Sequence, residues 1–404
     1  MAGLTCAKVL AERGVEVVVV EASDGVGGRV RTDERDGFLL DRGFQVYFTS
    51  YPASKRHLDH AALELKSFDP GAIVRRGREE SVLSDPLRDP KALLPSLLSN
   101  AATFPDKLRT LRLVASSLSV GAATAGEMDG ADSSSLEYVR NYGFSKRIID
   151  DFYRPFYGGI FLDRSLSTSA RLLRFTFKML STGSTTVPAL GIGEIPKQLA
   201  SHLPPGAIRT DSPVERLLWD GGRVVGVEVD GEEHEADAVV VVTEAPEAGR
   251  LAGVAAPEGA VGQVCVYYAA DKLRSGKKIV LNAEEGGFLN NAVEISAIAP
   301  SYAPRGQHLL CTVALEGFGL PDGEIYRRGV EDVTRWYPEA DLRPLAIYRV
   351  PYAQFDQPPG VHEWLPENRT NTPGLVLAGE YTEDSSINGS MLSGEKAAGE
   401  VMRS

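Results

Sequence analysis

The chain has 404 residues, which is enough for two or three domains or for two lobes built from one chain. Its hydrophobic fraction of 43% and charged fraction of 24% are typical of a globular protein that buries its core without disulfide bonds. The net charge of -12 argues against nucleic acid as a partner, because a phosphate backbone needs a basic protein surface.

The first twenty residues predict a helix followed by a buried strand. Residues 1–13 have an apolar side and are followed by Gly14, which suits the position just after a helix. Residues 15–20 are all valine except Glu16, and we expect a strand buried on both faces, as in a parallel sheet. Glu21 closes this strand, where an acidic side chain commonly accepts a hydrogen bond from a ribose 2′-hydroxyl. The same carboxylate disfavours a 2′-phosphate, so NADP is not expected in this half.

The start of the chain matches only the end of a dinucleotide-binding fingerprint. The fingerprint runs strand, Gly-x-Gly-x-x-Gly, helix, and Met1-Ala2-Gly3 fits its last three positions, with Gly3 as the third glycine. We therefore expect the true start to lie upstream and Met1 to be an internal methionine. The alternatives are a real truncation and a protein that never had the loop.

A pair of adjacent glycines follows Glu21. In Gly27-Gly28-Arg29 the glycines let backbone N–H groups approach a phosphate without an intervening Cβ, and Arg29 can add a charge-assisted contact. The alternative is a solvated turn with surface arginines. The order strand, Glu21, Gly-Gly-Arg and then Asp41-Arg42-Gly43 favours the phosphate site.

This order of motifs resembles the flavin-containing amine oxidase superfamily, which includes protoporphyrinogen oxidases and phytoene-type desaturases. The resemblance implies that Ala2 and Gly3 belong to the phosphate loop and that Glu21, with Ala22, binds the adenosine ribose of FAD. It also implies that Gly27, Gly28 and Arg29 lie along the pyrophosphate and the flavin.

The middle of the chain, residues 51–185, is predicted to be mostly helical. Its early part is interrupted by Pro86, Pro90 and Pro95. Helix starts are predicted at Ser134, with Glu137 three positions later, and at Ser145. Residues 152–161 are dense in aromatic side chains. They predict either a wall of the substrate cavity or an aromatic core cluster, and the family resemblance extends to the serine-bearing helix start at residues 166–169.

Residues 86–122 mix leucines with basic side chains (Lys91, Lys107, Arg109 and Arg112). Such an amphipathic stretch predicts either peripheral contact with a membrane surface or a cap over a cavity. No apolar run approaches the length of about 20 residues that a spanning helix needs.

The second half of the chain predicts a return to the cofactor domain. Residues 188–193 precede a predicted helix, and residues 208–242 predict a β-meander and a return strand. The resemblance implies that Val214 meets the adenine through its backbone. Residues 256–350 predict a mixed sheet that floors the substrate cavity.

The C-terminus carries a strand that ends in Gly379-Glu380 and then a helix with small residues on one face, in the motif that contains Gly389 and Ser390. The unpaired N–H groups and partial positive charge of the helix N-terminus can stabilise an anionic reduced flavin. The resemblance implies that Gly379, Glu380, Gly389 and Ser390 bind the cofactor. Glu380 departs from the family's Asp, so its contact must shift by one methylene.

The predicted fold is α/β, a two-dinucleotide-binding-domain, Rossmann-like FAD/NAD(P)-binding fold with an α+β substrate domain. We expect an FAD domain from residues 1–50, 187–255 and 366–404, and a substrate domain from residues 51–186 and 256–365. No cysteine lies near the C-terminal motif, so FAD is expected to be non-covalent. The cysteines show no metal-ligand spacing and favour a reducing compartment.

The predicted reaction is oxidation of a C–N or C–C bond of a small, largely apolar molecule, with transfer of a hydride from the substrate to flavin N5. The sequence designates no catalytic base, and the cavity candidates are Arg154, Tyr157, Tyr352 and Gln354. An amine oxidase and a flavin-binding protein without redox turnover remain alternatives. The expected location is cytoplasmic, with membrane-peripheral contact as an option, and the oligomeric state stays open.

Overall fold

The computed structural model describes residues 1–77, 79–84, 101–118, 121–273 and 276–403. Its α-helices are α1 (Ala2–Glu12), α2 (Ser54–His57), α3 (Phe104–Leu118), α4 (Ser135–Asn141), α5 (Lys146–Ile148), α6 (Arg154–Phe161), α7 (Ala170–Thr182), α8 (Glu194–Ala200), α9 (Ala245–Ala252), α10 (Ile295–Ile298), α11 (Asp322–Trp336) and α12 (Ile387–Val401). A π-helical turn (Ile149–Tyr153) joins α5 to α6, and short 3-10 turns span Pro300–Tyr302, Val361–Glu363 and Glu380–Thr382.

The strands fall into several small sheets and one large one. They are β1 (Val19–Val20), β2 (Thr32–Arg35), β3 (Phe38–Asp41), β4 (Tyr47–Phe48), β5 (Lys66–Ser67), β6 (Ala72–Arg76), β7 (Glu79–Leu83), β8 (Thr185–Val187), β9 (Ile208–Arg209), β10 (Val214–Asp220), β11 (Arg223–Val229), β12 (Glu232–Glu235), β13 (Val239–Val241), β14 (Ala260–Ala270), β15 (Ile279–Asn282), β16 (Asn291–Glu294), β17 (His308–Ala314), β18 (Leu342–Phe355) and β19 (Leu375–Leu377). The predicted α/β class is confirmed.

The N- and C-terminal helices pack closely beside two parallel strand pairs, β1 with β9 and β13 with β19. A Cβ on Gly3 would lie 2.8 Å from Val242 Cγ2, and a Cβ on Gly394 would lie 2.4 Å from the Ala2 carbonyl oxygen. Both glycines therefore permit an approach that a larger residue would prevent. A third fingerprint glycine is expected to have this packing role, and the assignment of Gly3 to that position stays a prediction.

The strand predicted at residues 15–20 is wrong in length and burial. Only Val19 and Val20 form a strand, and the side chains of Val15 and Val18 are 38% and 51% exposed. In the described structure β1 pairs with β9 alone, so this segment lacks the two-sided cover that its apolar sequence suggested.

The large sheet is mixed, as expected for residues 256–350. Its strand order is β18-β14-β17-β16-β15-β6-β7, with β15 and β6 parallel and the other pairs antiparallel. The β-meander is also confirmed as the antiparallel set β10-β11-β12. The division of the chain into a cofactor domain and a substrate domain stays a prediction.

Three local predictions need correction. Residues 66–83 form β5, β6 and β7 although a mostly helical segment was expected, because β6 pairs with β15 about two hundred positions away. Within the segment predicted as a mixed sheet, β16 ends at Glu294 and is followed by α10, and α11 was not predicted. The predicted breaks at Pro86, Pro90 and Pro95 lie outside the described residues. The same is true of Lys91 in the predicted amphipathic stretch.

The serine caps are confirmed. Ser134 Oγ accepts a hydrogen bond from the Glu137 N–H at 3.1 Å, and Ser145 Oγ accepts one from the Ile148 N–H at 3.5 Å. Ser169 begins α7, as the serine-rich segment predicted. No helix among the described residues is long and apolar enough to cross a membrane.

Candidate active site

One large cavity, about 930 Å³ in volume, connects the glycine motifs to the aromatic segment. This volume lies at the upper end of the range for small-molecule and cofactor sites. The motif residues that line one part of it are Met1, Ala2, Gly27, Gly28, Arg29, Gly379, Glu380, Ser386 and Ser390. Segments from the start, the first turn and the end of the chain therefore meet at a single site.

The Gly27-Gly28 turn presents bare backbone to this cavity. Both residues have positive φ, +112° and +59°. A Cβ on Gly27 would lie 2.5 Å from the Val30 carbonyl oxygen, whereas a Cβ on Gly28 would meet nothing within 4 Å. Gly27 is required by packing, and the space beside Gly28 is free for a ligand.

Two helix N-termini flank the turn. Met1 and Ala2 at the start of α1 line the cavity, as do Ser386 and Ile387 at the start of α12. Ser386 Oγ accepts a hydrogen bond from the Gly389 N–H at 2.8 Å and so caps α12. The partial positive charge of such helix ends favours an anionic ligand.

A charge cluster surrounds Arg29. Its Nη2 lies 2.5 Å from Glu380 Oε1, its Nε lies 3.3 Å from Glu244 Oε1, and its guanidinium lies over the Tyr352 ring. Burial raises the pKa of Glu244, while the Arg29 charge opposes that shift. One cation thus balances two carboxylates beside the cavity.

These residues fit a dinucleotide cofactor. The free space beside Gly28, the two helix N-termini and Arg29 provide N–H donors and positive charge for a pyrophosphate. The Glu380 carboxylate accepts hydrogen bonds and repels phosphate, so it suits a cofactor hydroxyl.

The rest of the cavity is largely apolar. Its aromatic wall comes from α6 and the preceding π-helical turn, where Phe152 stacks on Phe156 and Tyr153 stacks on Tyr157, with ring centroids 4.9 and 5.5 Å apart. Tyr153 and Tyr157 are almost fully buried. Residues 152–161 therefore form a core cluster that also lines this cavity, and the cavity's role as the substrate site stays a prediction.

The predicted ribose and adenine contacts lie together but outside this lining. Glu21 Oε1 accepts hydrogen bonds from the Ser23 N–H and hydroxyl at 2.9 and 2.7 Å. The Ser212 N–H donates to the Glu21 carbonyl at 3.0 Å, and Ser212 lies two positions before Val214 in the chain. Their roles, and those of Gly3, Ala22 and Gly389, stay predictions, since these residues do not line the cavity.

Two of the four predicted cavity residues line the cavity and two do not. Tyr157 and Gln354 line the cavity, and Gln354 Nε2 donates to the Ile160 carbonyl at 2.7 Å. Arg154 does not line it: its guanidinium donates to Asp150 and to the Arg164 carbonyl. Tyr352 is also outside the lining and lies against Arg29. A cavity role for Arg154 is therefore not supported.

Three further residues line the cavity and were not predicted from the sequence: Glu244, Tyr51 and Asn291. Glu244 shortly follows the buried strand β13, and the carboxyl end of a parallel strand is a recognisable signal for a site. Tyr51 and Asn291 carry no comparable signal, because only the fold brings them to the cavity.

Comparisons with known proteins agree with this geometry. The family model described as flavin containing amine oxidoreductase matches residues 1–402. The chain is 21% identical to 15-cis-phytoene desaturase of Solanum lycopersicum over 453 residues, with 100% of this chain and 76% of that protein covered. It is 33% identical to coproporphyrinogen III oxidase of Propionibacterium freudenreichii subsp. freudenreichii over 117 residues, 26% of this chain and 21% of that protein.

Solved structures share the fold. An oxidoreductase from Methanosarcina mazei matches with a TM-score of 0.74 and 19% identity, covering 100% of this chain and 98% of that one. Putrescine oxidase bound to putrescine matches with a TM-score of 0.72 and 17% identity, covering 100% and 97%. The predicted fold is confirmed by these likenesses.

Proposed function

The chain belongs to the flavin-containing amine oxidoreductase family and is an FAD-dependent oxidoreductase, and we propose that it oxidises a C–C or C–N bond of a largely apolar small molecule. The observation that carries the substrate class is the cavity wall. Phe152, Phe156, Ile160 and Phe177 border the same space as the glycine motifs. A wall of this kind binds apolar surface and contributes no fixed charge.

FAD, when bound, supplies the acceptor for a hydride from the substrate. The chain's own residues would hold the cofactor at Gly28, Arg29, Glu380 and the start of α12, and would orient the substrate along the aromatic wall. Enclosing the reacting bond among aromatic rings excludes water and holds the substrate in place.

The test uses the purified protein loaded with FAD and kept without oxygen. It is mixed separately with phytoene in liposomes, with coproporphyrinogen III and with putrescine, and the visible flavin band is followed. Bleaching by phytoene supports an apolar substrate. Bleaching by coproporphyrinogen III alone would count against it, because that macrocycle carries four propionate groups. Bleaching by putrescine alone would move the assignment to the amine oxidase alternative, and failure to retain FAD would contradict the role given to the glycine motifs.

We also propose that α3 contacts an anionic membrane surface. Phe104, Leu108, Leu111 and Leu118 are each more than half exposed and fall on one face of this helix. Lys107, Arg109 and Arg112 give the helix a positive balance against the single buried Asp106, within a chain whose net charge is -12. An exposed apolar face with basic flanks is typical of interfacial helices.

The position of α3 connects this surface to the substrate. Phe104, Leu108 and Leu111 line the cavity as well as facing outward. A lipophilic substrate could then pass from the membrane surface to the aromatic wall without crossing bulk water.

A further inference from the structure

Three tyrosines that line the apolar cavity have hydroxyls without a hydrogen-bond partner among the described residues. Tyr51, Tyr153 and Tyr157 line the cavity and are 8%, 2% and 1% exposed. Their rings pack against neighbouring aromatic rings, but none of the three hydroxyls makes a hydrogen bond within the described residues. A buried hydroxyl without a partner is unfavourable, so these groups suit a molecule that brings its own acceptor into the cavity.

The side chain of Asn291 offers a further donor, and its orientation is fixed by its neighbours. Asn290 Nδ2 donates to the Pro155 carbonyl at 3.0 Å, and a carbonyl can only accept. The same Nδ2 donates to Asn291 Oδ1 at 2.9 Å. The other end of the Asn291 side chain is therefore its amide nitrogen, Nδ2. This nitrogen is buried and has no hydrogen-bond partner among the described residues, and Asn291 lines the cavity.

These donors are uncharged, and the charges of Asp384 and Asp106 add to the burial that raises the pKa of Tyr51 and Tyr153. Burial raises the pKa of Tyr153 and Tyr157 well above the ordinary value, so both hydroxyls stay protonated. Asn291 lies against Asn290 and Gly159 and pairs with Val313 on β17. A carboxylate placed there would lose its hydration without gaining a cation from these neighbours, whereas a neutral oxygen would lose little.

We propose that Tyr157 and Asn291 bind a neutral oxygen atom of the substrate, a carbonyl or a hydroxyl oxygen. The substrate is then an oxygenated apolar molecule, so flavin bleaching by phytoene, a bare hydrocarbon, would support the proposed function and contradict this inference. This inference rests on the proposed function, since it takes the aromatic cavity as the substrate site. Tyr157 and Asn291 act here in recognition, and the inference assigns them no part in bond breaking.

The test compares two probes that differ by one carbonyl group, 4-phenylbutan-2-one and butylbenzene. Their affinities for the FAD-loaded protein are measured by titration calorimetry. We expect the ketone to bind about tenfold more tightly to the wild type, and Tyr157→Phe to remove most of that preference without weakening butylbenzene binding. Asn291→Leu is expected to act in the same direction.

The matched control is Tyr268→Phe. Tyr268 is fully buried and its hydroxyl also lacks a partner, but it does not line the cavity. This variant should keep the wild-type preference.

The inference would be overturned if the wild type bound both probes with equal affinity or bound neither measurably. This outcome does not depend on whether any variant folds. An unchanged preference in Tyr157→Phe and Asn291→Leu would also overturn it, as would tighter binding of 4-phenylbutanoate than of the ketone. FAD content and flavin bleaching, measured on the same wild-type preparation, test the proposed function separately.

Discussion

The guanidinium of Arg29 and the carboxylate of Glu380 meet at 2.5 Å, although 351 positions separate them in the chain. The two side chains are 27% and 10% exposed, so the pair is largely withdrawn from water. It joins the first glycine turn to the C-terminal motif at the cofactor part of the cavity. Glu380 stands where the family has Asp, and its side chain, longer by one methylene, contacts Arg29.

Replacing Arg29 by Leu should destabilise the protein by about 2 kcal/mol, because Glu380 and Glu244 would be left without their cation. In the variant, the pKa of Glu244, which burial already raises, would rise further, because the Arg29 charge would no longer oppose that shift. A folded-state pKa that is raised makes stability fall as pH increases, so the deficit should be large at pH 8 and shrink toward pH 5. Urea unfolding of both proteins across this range measures it.

The control for that change is Arg216→Leu, whose ion pairs lie on the surface and should contribute little. A deficit in Arg29→Leu that does not depend on pH would show that the loss comes from packing and not from unpaired acids.

Gly28→Ala should weaken FAD binding by about tenfold or more, because the new Cβ enters the space assigned to the cofactor and carries the strain of positive φ. Gly14→Ala is the matched control. Gly14 also has positive φ, +78°, and open space around it, but it lies outside the cavity lining. Both variants should lose about 1 kcal/mol of stability. Titration of flavin-free protein with FAD should separate them, and equal affinities would remove Gly28 from the cofactor site.

Asp41 should make the wild type less stable as pH rises from 4 to 7. Burial raises its pKa to about 6, although Thr32, the Ile192 N–H and Tyr302 donate hydrogen bonds to it. The folded state then holds a proton that the unfolded state releases near pH 4. Stability contributed by the protonated acid is full below pH 4 and is lost as pH increases toward 6, by roughly 2 kcal/mol.

Asp41→Asn should remove this pH dependence, because an amide does not titrate. The free energy of unfolding of the two proteins in urea, compared from pH 4 to pH 7, provides the measurement. Parallel pH profiles would mean that Asp41 is ionised throughout in the folded protein.

Leu108→Glu should reduce binding to vesicles of phosphatidylserine and phosphatidylcholine by about tenfold, since it places a charge in the apolar face of α3. Leu190→Glu is the control: Leu190 is 57% exposed but does not belong to α3 or to the cavity lining. Co-sedimentation at low and high salt measures the effect, and binding of the wild type should weaken with salt because Lys107, Arg109 and Arg112 contribute. Equal sedimentation of both variants with the wild type would exclude α3 as the contact.

Local chemistry explains which elements could be predicted. Gly14 ends α1, Ser134 and Ser145 begin helices, and the turn at residues 220–223 separates two strands of a meander. In each case the deciding residue lies within a few positions of the element that it shapes. By contrast, β6 is a strand because β15 pairs with it, and residues 15–18 stay outside the sheet because β1 pairs only with β9 in the described structure.

The sequence by itself determined the family resemblance, the α/β fold, the cofactor and the individual motif residues Gly27, Gly28, Arg29 and Glu380, because these depend on residue types at short spacing. Only the tertiary structure decided that Arg29 pairs with Glu380 and Glu244, that Arg154 does not line the cavity, and that Tyr157 and Asn291 bring unpaired donors to it. Contacts of this kind join segments that are distant in the chain, and their partners are fixed by how helices and sheets pack and not by local propensity.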